Sequence, residues 1–228
     1  MSGPTYLLAG AGPATGPRSF RYQADIVRAT GKDKPVYAYV GAASGDARWF
    51  EQIVKTTVFG TRSRTLFVRL TENKTKTSEA KAMLADADVI FVSGGDVDAG
   101  MRVIDERGLA PYFRELSRAG KVMEGVSAGS IMLGKHWVRF AHDDDHHGEV
   151  FDCLDVVPIS FDAHDEKDGW GELHALARLE PAERGTWVCG LTSKCGALWD
   201  GEHLQALGGP LARFSCGPHA KRISDLAP

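Results

Sequence analysis

The chain has no long apolar run. No stretch approaches the roughly 18 residues that span a bilayer, and the N-terminal segment offers only Tyr6-Leu7-Leu8-Ala9, without the basic start of a secretory leader. Cysteine is scarce. The four present (Cys153, Cys189, Cys195, Cys216) show no zinc-like pairing and are too few for a disulfide scaffold, which predicts a cytoplasmic, reducing environment. Basic clusters are missing as well: 27 Lys and Arg face 30 Asp and Glu, for a formal net charge of −3, with no run of five or six basic residues. Neither nucleic acid nor an anionic membrane is therefore expected as a partner. Linkers, repeats and low-complexity segments are also lacking. The 228 residues read as a single domain, 1–228, large enough to bury roughly 70% of its unfolded surface without a disulfide or structural metal.

What is present is a rhythm. Short apolar runs (Tyr6–Ala9, Val36–Val40, Leu66–Leu70, Val89–Val92, Val122–Val126) alternate with helix-length amphipathic stretches at about 18–30, 46–59, 77–86, 98–119 and 128–135. The fourth stretch is expected to break near Gly108-Leu109-Ala110-Pro111. This predicts an α/β fold of three layers, a mostly parallel central sheet with helices on both faces. After Gly134 the pattern turns to short strands at Val156–Phe161, Trp187–Leu191, Ala197–Trp199, His203–Leu207 and Ala212–Ser215, with one helix near 171–180. The last of these read as a C-terminal β-meander closing one edge of the sheet.

Ligands of open parallel sheets gather beyond the C-terminal ends of the strands. Two places there carry chemistry. Gly125-Val126-Ser127-Ala128-Gly129 is a G-x-S-x-G between an expected strand and helix, which would put Ser127 on a strained turn with its hydroxyl exposed. The Ala128 N–H and the positive end of the following helix would face an oxyanion; the plainer alternative is a Gly-Ser turn with Ser127 as helix N-cap. Ser93-Gly94-Gly95-Asp96 follows another strand, and the Gly95 N–H could be a second oxyanion donor; equally, it reads as a βα turn capped by Asp96. A serine nucleophile needs a base, and of eight histidines His164 stands at a strand exit, whereas His142, His146 and His147 sit in a polar, loop-like stretch.

These elements resemble the peptidase E family of serine peptidases, relatives of cyanophycinase within the class I glutamine-amidotransferase-like (flavodoxin-like) fold. Val92-Ser93-Gly94-Gly95-Asp96 is similar to the family's Gly-Gly-Gly-Asn turn, and Gly125 to Ser130 to its Gly-x-Ser-Ala-Gly-Ala nucleophile turn. Phe151 to His164 is similar to the segment ending in its Asn-Pro-His, and Leu207-Gly208-Gly209-Pro210 follows in the family's order. The resemblance implies a Ser127–His164 pair, an oxyanion hole of Gly95 and Ala128, a substrate site including Gly94, Asp96, Glu172 and His174, and hydrolysis of a small peptide or related amide, with no cofactor. The protein would act as a monomer or homodimer.

Two positions depart from that pattern. The family places a histidine-orienting Glu after Gly-Leu-Pro, where this chain has Gly190-Leu191-Thr192-Ser193, so Ser193 occupies the acid's position. A hydroxyl can hold an imidazole but supplies no charge, and loss of the acid costs as much as ~10⁴ in other triads. Asp162, Asp165, Glu166, Asp200 or Glu202 would have to stand in. In Gly171-Glu172-Leu173-His174-Ala175-Leu176-Ala177-Arg178, His174 and Ala177 replace arginines suited to gripping an acidic substrate, which puts strict cleavage of Asp-X dipeptides in doubt.

The missing acid also leaves open a family member that binds a small ligand without turnover, and family analogy alone adds hydrolysis of an acidic polymer such as cyanophycin. Ala141 to Glu149 holds enough His and Asp to ligate a metal, but ligands adjacent in a loop are not preorganised, so no metal is expected. Gly10 to Gly16 departs from dinucleotide-binding glycine spacing, with Pro13 removing an N–H donor, and Cys189 and Cys195 fall in strand-like segments.

Overall fold

Alternation within each short strand sends successive side chains to opposite faces of a sheet, and here both faces are covered. The structure is a computed structural model that describes residues 2–10, 22–57, 63–71, 74–140, 148–183, 185–193 and 195–228. The five apolar runs of the N-terminal half form β1 (Thr5–Leu8), β2 (Val36–Val40), β3 (Arg64–Val68), β4 (Val89–Val92) and β5 (Val122–Val126). These pair in parallel in the spatial order β1-β5-β4-β2-β3. Leu7, Ala38, Val40, Ile90 and Val92 point into one apolar layer; Tyr6, Leu8, Tyr37, Tyr39, Val89 and Phe91 point into the other.

Helices α1 (Gln23–Ala29) and α2 (Arg48–Thr57) cover the tyrosine-rich face through Ile26 and Val54. The opposite face is covered by α3 (Thr77–Asp86), α4 (Val97–Glu106), α5 (Ala110–Arg118) and α6 (Ala128–Leu133) through Leu84, Ile104, Phe113 and Met132. Three layers result. The break between α4 and α5 falls where expected: Gly108 takes φ +61°, and Pro111 sits in the first turn of α5, where its missing N–H costs nothing. No helix among the described residues is long and apolar enough to cross a membrane.

The second half departs from the sequence expectation in three ways. First, a hairpin of β6 (His136–Phe140) and β7 (Gly148–Asp152) stands apart as a two-stranded sheet. Second, Val156–Phe161 is not a strand; β8 spans only Phe161–Ala163. The backbone before it is drawn onto the end of α6, with the N–H groups of Leu154, Val156 and Val157 bonding Met132 and Leu133 carbonyls, and Pro158 has no N–H for a ladder. Third, the C-terminal strands are shared between two sheets. β10 (Gly196–Trp199) and β11 (Leu204–Leu207) extend the main sheet antiparallel beyond β1. β12 (Leu211–Ser215) and β13 (Arg222–Leu226) join β9 (Trp187–Leu191) and β8 in a four-stranded sheet of order β13-β12-β9-β8. Helix α7 (Gly171–Leu179) packs on this second sheet through Leu173, Ala177, Val188 and Phe214.

Candidate active site

Residues at the C-terminal ends of β1, β4 and β5 meet at the middle of the main sheet, and the exit of β8 in the second sheet faces them. Ser127 follows β5 directly and opens α6. Its backbone takes φ +55° and ψ −122°, a conformation L residues rarely adopt, held by its N–H donating to the Leu8 carbonyl at 2.9 Å. The flanking glycine is required by packing: a Cβ on Gly129 would lie 2.0 Å from the Val92 carbonyl oxygen. Ser130, by contrast, is fully buried and donates its hydroxyl to Leu8 O at 2.9 Å, which ties β1 to α6.

His164 also holds a positive φ, +56°, and its N–H donates to the Leu191 carbonyl of β9 at 2.8 Å. These restraints bring its Nε2 to 2.8 Å from Ser127 Oγ, across the gap between the two sheets. The Ser93-Gly94-Gly95-Asp96 turn lies against the same serine. An added Cβ on Gly94 would be 3.3 Å from Ser127 Cβ, and Gly95 takes φ +141°, with Asp96 N–H pinned to Ala43 O at 2.9 Å. Asp96 also caps α4, its carboxylate accepting from Ala99 N–H at 2.9 Å. Ala128 is the first residue of α6, so its N–H has no intrahelical acceptor and lies next to Ser127.

Two recesses flank the pair. One, of about 320 Å³, is walled by Ala47, Trp49, Phe50 and Val126, with Gly94, Gly95, Ser127 and His164 at its mouth. The other, of about 390 Å³, is bounded by Asp96, Ala128, Ile131, Asp162, Asp165 and Glu172 and opens onto the same Ser127 and His164. The apolar wall escaped sequence reasoning; the adjacent aromatics Trp49 and Phe50 at the start of α2 were its only signal, and Trp49 stays 65% exposed.

The acid's position is filled differently from the sequence expectation. Among the described residues Ser193 makes no hydrogen bond to the His164 ring; its backbone N–H donates instead to Glu166 Oε1 at 3.2 Å. Burial pushes the Glu166 carboxyl up, but the Ser193 hydroxyl and N–H together with the nearby His164 outweigh it and hold it below the usual range. Glu166 Oε2 is buried without a hydrogen-bond partner among the described residues. Asp165 is committed to the Gly171 N–H at the start of α7, with burial and Asp168 pushing its carboxyl up. Asp200 and Glu202 are excluded by topology. They lie in the β10–β11 turn beside the Thr5 end of β1, whereas Ser127 lies beyond its Leu8 end. Asp162 is almost fully buried on β8, and burial, then its acidic neighbours, push it up to about 8.

His174 is a correction. Glu172 lines the acidic recess, but positions two apart on a helix do not share a face. His174 turns away, its Nε2 bonding Ala220 O at 3.0 Å and its ring packing on Phe214. The thiols of Cys153 and Cys189 are buried and pushed up by that burial, which keeps them from thiolate chemistry. Residues 141–147, with His142, His146 and His147, lie outside the described residues, as do residues 11–21, which contain most of the glycine-rich N-terminal turn, and Lys194. Among the described residues no group of three or more His, Cys, Asp or Glu is arranged to hold a metal ion.

The chain is similar to known proteins at three levels. In the solved structure of a peptidase from an acI-B1 Actinobacterium, the backbone superposes with a TM-score of 0.72 at 17% identity, covering 100% of this chain and 97% of that one. A putative peptidase E protein from Listeria monocytogenes EGD-e superposes with a TM-score of 0.60 at 13% identity, covering 98% and 100%. Both likenesses concern the fold. Pyridoxal 5'-phosphate synthase subunit PdxT of Hyperthermus butylicus is 28% identical over 118 residues, 48% of this chain and 58% of that protein. The family model that describes peptidase family S51 matches residues 6–207, nearly the whole succession from β1 to β11. On that match the chain belongs to peptidase family S51, the peptidase E family.

Proposed function

We propose that this peptidase is a serine hydrolase of small peptides or related amides, with Ser127 as nucleophile and His164 as general base. The observation that carries the reading is the 2.8 Å approach of Ser127 Oγ to His164 Nε2, made by residues from two different sheets, each held at a positive φ. In the first half-reaction the Ser127 proton passes to Nε2 while Oγ bonds the substrate carbonyl carbon. The resulting oxyanion is received by the N–H groups of Ala128 and Gly95. As the tetrahedral adduct collapses, the C–N bond breaks and the amine leaves with the proton from His164. Water then repeats the sequence, giving up a proton to His164, displacing Ser127 Oγ from the acyl group and releasing the acid.

Glu166 supports the imidazolium electrostatically, with Ser193 fixing its carboxylate; it is a positioning residue. The recesses on either side match single side chains or a dipeptide better than a polymer, since each lies at the lower end of the usual range of ligand sites. Labelling with a fluorophosphonate tests the reading. The native chain and Ser130→Ala should be labelled and Ser127→Ala should not; a native protein that stays unlabelled across the pH range would exclude the mechanism.

A further inference from the structure

Resting on the serine-peptidase reading, we infer that the recess on the Asp162 side of Ser127 binds a positively charged group of the substrate, an ammonium or a guanidinium. The acidic and basic side chains lining this recess are all of one kind: Asp96, Asp98, Asp162, Asp165 and Glu172, with no Lys or Arg among its described lining residues. Four of these carboxylates, Glu172 among them, already have partners. Asp98 is paired with Arg102 and Arg139, Asp96 caps α4, and Asp165 holds the Gly171 N–H.

Asp162 is different. It is 3% exposed, its Oδ1 accepts the Ala163 N–H at 2.7 Å, and its Oδ2 is buried with no hydrogen-bond partner among the described residues. A buried carboxylate oxygen without a donor is costly, and proteins normally pair it. Burial, with Asp165, Glu172 and Glu166 adding to it against the pull of the Ala163 N–H, pushes this carboxyl up to about 8, a sign of a missing counter-charge. A substrate cation supplies that charge two residues from the general base. An aspartyl side chain placed there would instead bring a negative charge into a desolvated acidic recess, and His174, at the position where a guanidinium would grip it, is turned onto Phe214 and Ala220. Charge complementarity therefore favours a cation and rejects an anion.

The cation has two sources, a free α-amino terminus or a basic side chain, and substrates separate them. We would measure kcat/KM for Lys-Phe, Gly-Phe, Asp-Phe, Nα-acetyl-Lys-Phe and Nα-acetyl-Gly-Phe. If the side chain supplies the cation, Lys-Phe should exceed Asp-Phe by at least ~100-fold; if the α-ammonium does, which Asp-Phe also carries, Gly-Phe should exceed Nα-acetyl-Gly-Phe by as much. Retention of activity by Nα-acetyl-Lys-Phe assigns the recess to the side chain; its loss with Gly-Phe retained assigns it to the α-ammonium. Asp162→Asn, which keeps the shape, should narrow whichever of these two ratios the native chain shows to below about tenfold. If that variant does not fold, Glu172→Gln should narrow the ratio in the same direction. Asp-Phe cleaved as fast as Lys-Phe, with Nα-acetylation costing Gly-Phe less than about threefold, overturns the inference. Should no peptide be cleaved, calorimetry with the same peptides decides separately. Lys-Phe bound at least ~10-fold tighter than Asp-Phe, or Gly-Phe than Nα-acetyl-Gly-Phe, keeps the cation site while removing the peptidase mechanism, and equal affinities within both pairs remove the site.

Discussion

Ser193 donates its backbone N–H to Glu166 Oε1 at 3.2 Å, so the residue standing where an acid was expected holds an acid from a neighbouring loop. In the proposed mechanism the carboxylate facing the imidazolium would come from the loop after β8, close to His164 in the chain, rather than from the exit of β9. Glu166→Gln removes the charge but keeps the hydrogen-bonding shape. It should lower kcat by about 10²–10⁴ with KM little changed, because the lost interaction belongs to the transition state. Steady-state kinetics check this, together with the fluorophosphonate labelling rate, which should fall in proportion. Ser193→Ala, which keeps the backbone donor, should cost only about tenfold in kcat. Equal losses in the two variants would place the orienting role on Ser193 itself.

Much of this site was legible because its signals are local. Gly125 to Gly129 carries its own strand, turn and helix context, and the alternating runs from Tyr6 to Val126 read directly as a covered parallel sheet. His164 was found by its place after an apolar run, although that run forms only three residues of strand. The rest depended on contacts between segments distant in sequence. The hydrogen bonds that hold Val156 and Val157 to the end of α6 have no sequence pattern, so a strand was expected there. Distinguishing Glu166 from Asp200 required the strand order, because only topology puts the β10–β11 turn at the opposite end of β1. His174 was misplaced for a simpler reason: alignment with a motif ignored the helical face.

The apolar recess predicts a second determinant of substrate choice. Trp49 is 65% exposed and stands edge-on to Phe50, with ring centroids 5.4 Å apart, so little of the fold depends on it. Trp49→Ala should raise KM for substrates with an aromatic or large aliphatic group by roughly tenfold, leave kcat within about threefold, and move Tm by no more than ~2 °C. Substrates bearing only small groups should show no change in KM, and an equal rise for both classes would contradict a binding role for the indole.

Glu124 predicts a pH dependence of stability that is independent of catalysis. It is fully buried on β5, with Gln23 Nε2 donating to Oε1 at 2.5 Å and Oε2 buried without a partner among the described residues. Burial, only partly offset by Gln23, pushes the carboxyl up to about 8. Between the ordinary carboxylate range and that value the folded chain holds a proton that the unfolded chain has released. Stability must therefore fall as pH rises through this window. Asp162, also pushed up to about 8, acts in the same direction. Glu124→Gln should remove its share, raising stability by about 3–4 kcal/mol more at pH 8 than at pH 5, or roughly 7–14 °C in Tm. Thermal unfolding of both proteins across pH 5–9 checks this; a Tm difference independent of pH would mean that Glu124 is ionised in the folded chain.

The backbone of Ser127 sets a cost that two substitutions can separate. Ser127 at φ +55°, ψ −122° lies where only glycine is at ease, the first central position of a type II′ turn, and strain of this kind costs about 1–3 kcal/mol. Ser127→Ala removes the bond to His164 and keeps the strain. Ser127→Gly removes both, at an unfolded-state entropy cost of about 0.4–1 kcal/mol. Both variants should be inactive, yet the glycine variant should melt ~2–4 °C above the alanine variant, corresponding to about 1 kcal/mol in a chain of this size. The order of the two melting temperatures decides the point. An alanine variant more stable than the glycine variant would mean that the turn after β5 is relaxed, and that the exposure of Oγ comes from packing against Gly94 and Leu8 rather than from a strained backbone.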